Sequence, residues 1–521
     1  MDEQTKELQT PKPRLSRREM LRKTATIGGT LAATLLVSCG GSATTAPTPA
    51  AGGAATPATA PEATAPAAAT AAPAGEATAS APAATAPAME ATTPPAAGSS
   101  GPVTLRVWGY GLDDARGQAR VNAFKQANPN ISIEPVGGEL NTQQLLTAVA
   151  SGDPPEVVNV DRVQTGSWAG RNAIDPLDDL ITRDNFDLAQ FYPFMVDQVK
   201  YKDQVYGIPQ FVNVDLFFMN LDALKEAGVD AGQVDPGNWD QLTQLGEQLH
   251  KMEGDKVVRT GFDTKAQDGR LWLWSWANGV DLISPDGMTA QFNDPKVVEA
   301  LTWAKDTVDR QGGEKARAAF AQAQNFFSPQ NPVLIGQTAM TLFEQWLIGV
   351  MKVNPQANFQ AILPRMRNST DLLTEGTGQA FAVPKGISGD KREAAWAFIK
   401  GMTSTEAWIA GEKATFADNE SKNTPYHPTI TGNVNADQEA WNNIYKGISP
   451  AFDAAIKLFP DALKAAKFRY SGPVAADIND MMRSAINDAL QGVTAPKDAL
   501  DALQTQAQQA IDDFAQGQGN R

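Results

Sequence analysis

The sequence predicts an α/β fold built as two lobes, and three observations carry that expectation. First, Val103–Trp108 (VTLRVW) alternates apolar and polar residues like a strand, and Asp114–Ala127 reads as a helix with Val121 and Phe124 inward. Asn128-Pro129 stops that helix and Ile131–Val136 is the next strand, a strand–helix–strand spacing that implies a parallel, doubly wound unit. Second, the helical stripe of Leu140–Ser151 (Leu145, Leu146, Val149) ends at Gly152 and Pro154-Pro155, and Glu156–Val160 (EVVNV) follows as a short buried strand. The chain then opens into a polar loop, Asp161–Gly166, and meets Trp168, the arrangement expected where ligands bind beyond the carboxyl ends of the strands of an open sheet. Third, in Asp203–Asn213 (DQVYGIPQFVN), a turn enters a strand that continues into the long apolar run Val212–Met219. A strand that leaves one sheet for another joins two lobes, so a crossover is expected near Phe211–Asn213, and residues 103–521 are long enough for both lobes.

The chain opens with a basic segment, Ser16–Arg22 (SRREMLR), and a short apolar run, Thr24–Val37, too short to span a bilayer comfortably and therefore expected to be a signal peptide over residues 1–38. The paired arginines resemble a twin-arginine export signal, with Met20 where that motif prefers Phe. Leu36-Val37-Ser38-Cys39 resembles a bacterial lipobox, making Cys39 the expected lipidation site. It is the only cysteine, so no intrachain disulfide can form. Residues 39–102 form an Ala/Thr/Pro-rich tether whose stretch 41–101 lacks aromatic residues, Leu, Ile, Val, Lys and Arg. Such a segment buries too little apolar surface to offset chain entropy and is expected to stay disordered, as a stalk between membrane and globular domain.

The globular region continues through the loop and helix of Asn172–Ile181 and Phe186–Lys200. Helices are expected at Leu221–Ala227, Asn238–Lys251 with Asn238 as N-cap, and Lys296–Arg310 behind an Asp294-Pro295 start, the last with Val297, Leu301, Ala304 and Val308 on one stripe. Arg259–Thr264 reads as a strand. Leu271–Ala277 (LWLWSWA) places Trp272 and Trp276 on one helical face and Trp274 on another. Gln311–Pro332 reads as a polar connector. Gly336–Glu344 is a strand followed by Gln345-Trp346 opening a helix, repeating the earlier order of strand, polar residue, tryptophan and helix. Strands Asn358–Leu363 and Ala380–Val383 flank an expected loop, Thr374–Gln379. Helices at Lys391–Met402, Glu406–Lys413, Asp477–Leu490 and Lys497–Phe514 complete the fold, the last with Leu500, Leu503, Ala507, Ile511 and Phe514 as a narrow stripe.

No catalytic constellation emerges. The only histidines, His250 and His427, lie in a helical pattern and a loop; no His/Cys cluster suits a metal; Gly109-Tyr110-Gly111 lacks the third glycine of a dinucleotide fingerprint; and no phosphate-cradling loop is present. Neither cofactor nor metal is expected. The chain carries a net charge of −15, which becomes −18 once the seven Lys/Arg and four Asp/Glu of residues 1–38 are removed. That balance argues against nucleic-acid or anionic-membrane binding through the folded part.

With these elements in order, the chain resembles the family 1 extracellular solute-binding proteins of ABC importers, the maltose-binding-like group. The landmarks are VNAFKQANPNISIEPV, LLTAVASGDPPEVVNVD, NAIDPLDDLI, DQVYGIPQFVNVDLFFMN, GQTAMTLFEQW, GQAFAVPKG and the Asp477–Asp513 helices. The resemblance implies a two-lobed, periplasmic-binding-protein-like fold of type II, each lobe a mixed sheet flanked by helices, with solute held in the cleft between them. Lobe one would take about 103–211 and 333–380, and lobe two about 212–332 and 381–521, with further changes of lobe near Asn331 and Gln379. Carried over, the family's cleft positions fall at Tyr110, Asp161, Trp168, Phe211, Asn213, Trp274, Glu344, Trp346, Gly376, Gly378 and Gln379, with Arg469 and Tyr470 as further candidates. The resemblance also implies a monomer that delivers solute to membrane permease subunits and touches the membrane through its lipid alone.

These residue types suit a sugar, whose apolar C–H faces stack on Trp168, Trp346, Tyr110 and Phe211 while hydroxyls meet Asp161, Glu344, Asn213 and Gln379. A phosphate ester would want more basic groups than Arg162. A polyamine would also suit tryptophan beside carboxylates, and a cell-surface lipoprotein without a solute is a reading of another class.

Overall fold

The computed structural model describes residues 101–519, apart from 139 and 141. The signal peptide, Cys39 and the tether up to residue 100 lie outside the described residues.

The first sheet forms as the alternation predicts. β1 (Val103–Trp108) pairs in parallel with β2 (Ile131–Val136), from Val103 opposite Ile131 to Trp108 opposite Val136. Between them the helix Ala115–Ala127 is capped by the Asp114 carboxylate accepting from Gly117 N–H at 2.7 Å, and it buries Val121 and Phe124. β3 (Val157–Asp161) pairs in parallel with β1 on its other side. A hairpin, β4 (Lys200–Tyr201) and β5 (Gln204–Val205), stands apart from this sheet, and β6 (Ile208–Pro209) forms its edge.

β7 (Asn213–Asn220) is the central strand of the second sheet. Its apolar run reflects burial on both faces: Phe217 and Met219 join one core with Phe262, Trp274 and Leu342, and Val214, Leu216 and Phe218 join another with Phe359, Phe452 and Phe459. Around it stand β8 (Lys251–Glu253), β9 (Lys256–Asp263), β10 (Thr338–Glu344), β11 (Phe359–Ile362), β12 (Thr374–Thr377) and, after β13 (Gln379–Ala382) of the first sheet, β14 (Ala466–Lys467). The sheet orders are β2-β1-β3-β13-β6 and β14-β12-β7-β10-β9-β8, with β11 beside β7. Each sheet mixes parallel and antiparallel pairs.

These orders correct the expected lobe boundaries. β10, β11 and β12 all lie in the second sheet, so 338–377 belongs to lobe two and not to lobe one. Asn331 marks no change of lobe; its fully buried side chain braces a lobe-two loop, donating to Phe326 O at 2.8 Å and accepting from Val333 N–H at 3.0 Å. Conversely, β13 and the helices Gly389–Thr403 and Thr405–Ser421 belong to lobe one, the first through Trp396, Phe398 and Ile399 in its core and the second by packing along Ala115–Ala127. Ile430 lies in a lobe-two core and its carbonyl accepts from Val212 N–H at 3.2 Å, Asn433 still accepts from Thr405 Oγ1 of lobe one at 3.0 Å, and the helices Pro450–Ile456, Phe459–Ala465, Ala475–Leu490 and Pro496–Gly519 build lobe two.

Three local expectations also change. Residues 162–166 are not a loop: Asp161 caps a helix, Arg162–Gly170, that starts at the strand end. The supposed connector contains a helix, Gly313–Gln322. Thr374–Gln379 is not a loop but the passage of one strand into the other sheet, β12 running into β13.

Candidate binding cleft

Two neighbouring antiparallel segments pass between the sheets. β6 continues through Gln210-Phe211-Val212 into β7, and β12 continues through Gly378 into β13, with Thr377 opposite Asn213 and Ala380 opposite Pro209. Gly378 has φ +131°, and a Cβ there would lie 2.2 Å from the Phe211 carbonyl oxygen and 2.8 Å from the Arg162 guanidinium, so only glycine permits this approach. Arg162 is fully buried and donates to three crossover carbonyls: Phe211 O at 2.5 Å, Thr377 O at 2.6 Å and Gln379 O at 3.1 Å, with Gln198 Oε1 at 3.0 Å. Burial lowers its pKa to about 10, which leaves it charged at neutral pH. Arg162, which the sequence places near the site, therefore fastens the crossover and offers no free group to a solute.

The crossover floors a cleft with two compartments. The larger, about 560 Å³, lies among Tyr110, Asn159, Phe211, Trp346, Gln379 and His427. Its polar floor is a chain of amides: Arg120 donates to Gln210 Oε1 at 3.0 Å, Gln210 to Asn159 Oδ1 at 2.7 Å, and Asn159 to Gly109 O at 2.8 Å and Gln379 Oε1 at 2.5 Å. Tyr110 packs edge-on against Phe381, and its buried hydroxyl has no hydrogen-bond partner among the described residues.

The smaller compartment, about 280 Å³, is charged. Arg270 pairs with Asp215 at 2.7 Å and approaches Glu344 at 3.7 Å, while Arg469 donates to Glu375 at 3.1 Å. Glu344 accepts from Thr377 Oγ1 at 2.8 Å, Asn213 Nδ2 at 3.2 Å and the Trp346 indole N–H. Burial, with Glu375 and Glu344 close by, raises Asp215 to about 7 despite Arg270. Asp161 stands at the exposed end of β3, and its carboxylate accepts from Val163 N–H at 3.2 Å. Asp161 from lobe one and Glu344 from lobe two thus line the same compartment, Glu344 lying 3.7 Å from an Arg270 that it shares with Asp215.

The structure brings most of the anticipated residues together. Tyr110 and Trp346 line the larger compartment; Asp161, Glu344, Gly376, Gly378 and Arg469 the smaller; and Phe211, Asn213 and Gln379 line both. Two tryptophans are corrected. Trp168 is 0 % exposed, packed with Leu145, Val158, Val160 and Ala382, and its indole donates to Thr142 Oγ1 at 3.2 Å. Trp274 is buried among Trp239, Phe262 and Trp303, with its indole donating to Thr264 O at 2.8 Å. Neither presents a face to the cleft. Tyr470 points instead into a separate cavity of about 750 Å³ with Tyr201, Trp272, Trp276 and Phe514. Sequence reasoning missed Arg270, Asp215, Glu375, Asn159 and Gln210. Arg270 directly precedes the tryptophan-rich helix, and Gln210 lies inside the crossover motif, so position could have flagged both. Among the described residues, no group of three or more His, Cys, Asp or Glu could hold a metal, and no helix is long and apolar enough to cross a membrane.

Comparison with known proteins places this geometry. Residues 108–407 match the family model for bacterial extracellular solute-binding proteins. The chain is 22 % identical over 261 residues to the arabinooligosaccharide-binding protein of Bacillus subtilis strain 168; the match covers 49 % of this chain and spans 58 % of that relative's length. Among solved structures, CpMnBP1 with mannobiose bound is similar at 23 % identity and TM-score 0.64, covering 78 % of this chain and all of that one. UgpB from Mycobacterium tuberculosis, in complex with glycerophosphocholine, is similar at 16 % identity and TM-score 0.61, covering 80 % and 99 %. The shared architecture is the two-lobed α/β fold, and the chain belongs to the bacterial extracellular solute-binding protein family.

Proposed function

We propose that this protein captures a sugar or oligosaccharide between its lobes and delivers it to the membrane subunits of an ABC importer. The observation that carries this reading is the pairing of Asp161 and Glu344, one from each lobe, beside the partly buried ring of Trp346. Hydroxyls would donate to the carboxylates and a pyranose or furanose face would lie against aromatic carbon. Arg270 and Arg469 are paired with Asp215 and Glu375, which disfavours a phosphate ester. A polyamine would also meet Asp161 and Glu344.

The protein acts as a clamp without turnover, the role its membership of the solute-binding family supports. It is a monomer, exported and anchored through lipid on Cys39. Closure would move the lobes about the crossover residues, and solute would favour the closed form by binding it more tightly than the open one.

A thermal-shift and calorimetric screen of the chain from Pro102 onward tests this, using manno-, arabino- and malto-oligosaccharides, polyamines and glycerophosphodiesters. Saturable binding of one sugar series, with the sugar recovered intact, is expected. Exclusive binding of a polyamine or phosphodiester would overturn the sugar reading, and turnover would overturn the non-catalytic one.

A further inference from the structure

Phe327 is the most exposed large apolar residue among the described residues, at 77 %. It follows the helix Gly313–Gln322 in a loop that the sequence marks only as polar. Leaving a benzene ring in water forgoes nearly all the gain of burying it, so an isolated exposed Phe needs either no explanation or a specific one. Here the ring is not isolated. It lies parallel to Trp346, with 6° between planes and 5.9 Å between centroids. Trp346 is in turn held by Phe343, edge-on at 5.0 Å, and by Glu344, which accepts its indole N–H. Phe326, the neighbour of Phe327, packs inward on Phe343 at 4.9 Å.

The loop is braced by hydrogen bonds. Ser328 Oγ donates to Asn325 O at 2.9 Å and accepts from Gln330 N–H at 3.0 Å, and Asn331, fully buried, ties Phe326 O to Val333 N–H. Thus one aromatic of the Phe326-Phe327 pair anchors the loop while the other is presented at a fixed place on the cleft tryptophan, with most of its surface open. Ordering an aromatic before the ligand arrives lowers the entropy cost of using it.

We propose that Phe327 extends the stacking surface of Trp346 beyond the cleft and receives a glycosyl unit of the solute that projects outside it, so that the preferred solute is an oligosaccharide longer than the cleft itself holds. This inference rests on the sugar reading above. It makes Phe327 a specificity-determining residue for chain length, one that does not bear on the units bound at Asp161 and Glu344.

The test compares wild type, Phe327→Ala and Phe327→Trp by calorimetry against manno-, arabino- and malto-oligosaccharide ladders of two to six units. In the series that binds, wild type is expected to gain affinity with length, and F327A to lose about three- to tenfold on the longest members while binding the disaccharide as wild type does, in line with the worth of one aromatic contact. F327W should restore the gain. Equal losses at every length, no loss at any length, or tighter binding of short sugars by F327A would overturn the proposal, the last by showing that Phe327 masks Trp346. If no ladder binds to wild type, the sugar reading falls and takes this inference with it. Unchanged melting temperatures for both variants, expected for so exposed a ring, keep folding out of the comparison.

Discussion

Two stretches of this protein have the same local grammar and opposite fates. Asp161 with Trp168, after β3, and Glu344 with Trp346, after β10, both read as strand, acid, tryptophan and helix. Both acids reach the cleft. Trp346 reaches it as well, but Trp168 is sealed in the lobe-one core. The difference is a matter of spacing. Trp346 lies two residues beyond Glu344 and is the N-cap of a short helix, Leu347–Met351, so it stays at the strand end. Trp168 sits almost two turns into Arg162–Gly170, and that helix carries it back over the sheet onto Leu145 and Val158. An aromatic belongs to a strand-end site when it precedes the first helical turn; further along, helix phase decides.

Substitutions can break this contrast. The largest effect is expected from Trp168→Ala, which removes a fully enclosed side chain and should cost about 3–5 kcal/mol of stability by chemical denaturation. Trp346→Ala should cost less than about 1 kcal/mol by the same measurement, since a partly buried ring leaves a site open to water; equal losses would erase the distinction. Between them stands Arg162→Met, which deprives the crossover carbonyls of their charged donor and should cost about 1.5–3 kcal/mol.

A further prediction concerns pH. His427 packs so closely on Gly349 that a Cβ there would lie 2.6 Å from its ring, and burial, aided by Lys352 and Arg116, lowers its pKa to about 3. The unfolded chain takes up that proton near 6.5. The unfolded state therefore binds more protons between these values, and stability that is complete above about pH 6.5 drains away as pH falls toward 3. Thermal melts over this range should fall less steeply for His427→Gln than for wild type; parallel slopes would remove His427 from the acid response.

The elements that follow local periodicity were legible in the sequence. Val103–Trp108, the helix capped by Asp114, Ile131–Val136 and the helix begun at Asp294-Pro295 all appear where pattern and capping put them. What pattern could not reveal depends on partners far along the chain. Thr374–Gln379, with two glycines and no apolar alternation, looks like a loop; it is extended because β7 pairs with Thr377 and Gly376, and Arg469 compensates its buried Glu375. β10 enters the second sheet between β7 and β9, an order that no local feature of Gly336–Glu344 encodes, which is why 338–377 changed lobes. Gly313–Gln322 is alanine-rich and helical by propensity but lacks an apolar stripe. At the site, the acids and amides at strand ends were readable from position, whereas the partnership of Arg270 with Asp215 joins residues 55 apart in sequence.

The most direct test of binding between the lobes is calorimetry with the sugar identified by screening, on Asp161→Asn in lobe one and Trp346→Ala in lobe two. Asparagine keeps the helix cap while removing the charge. Each variant should remain folded and lose roughly tenfold or more in affinity, the worth of one hydrogen bond to a charged group or of one aromatic anchor. Tight binding indifferent to either substitution, in a protein that melts like wild type, would contradict a site shared by both lobes.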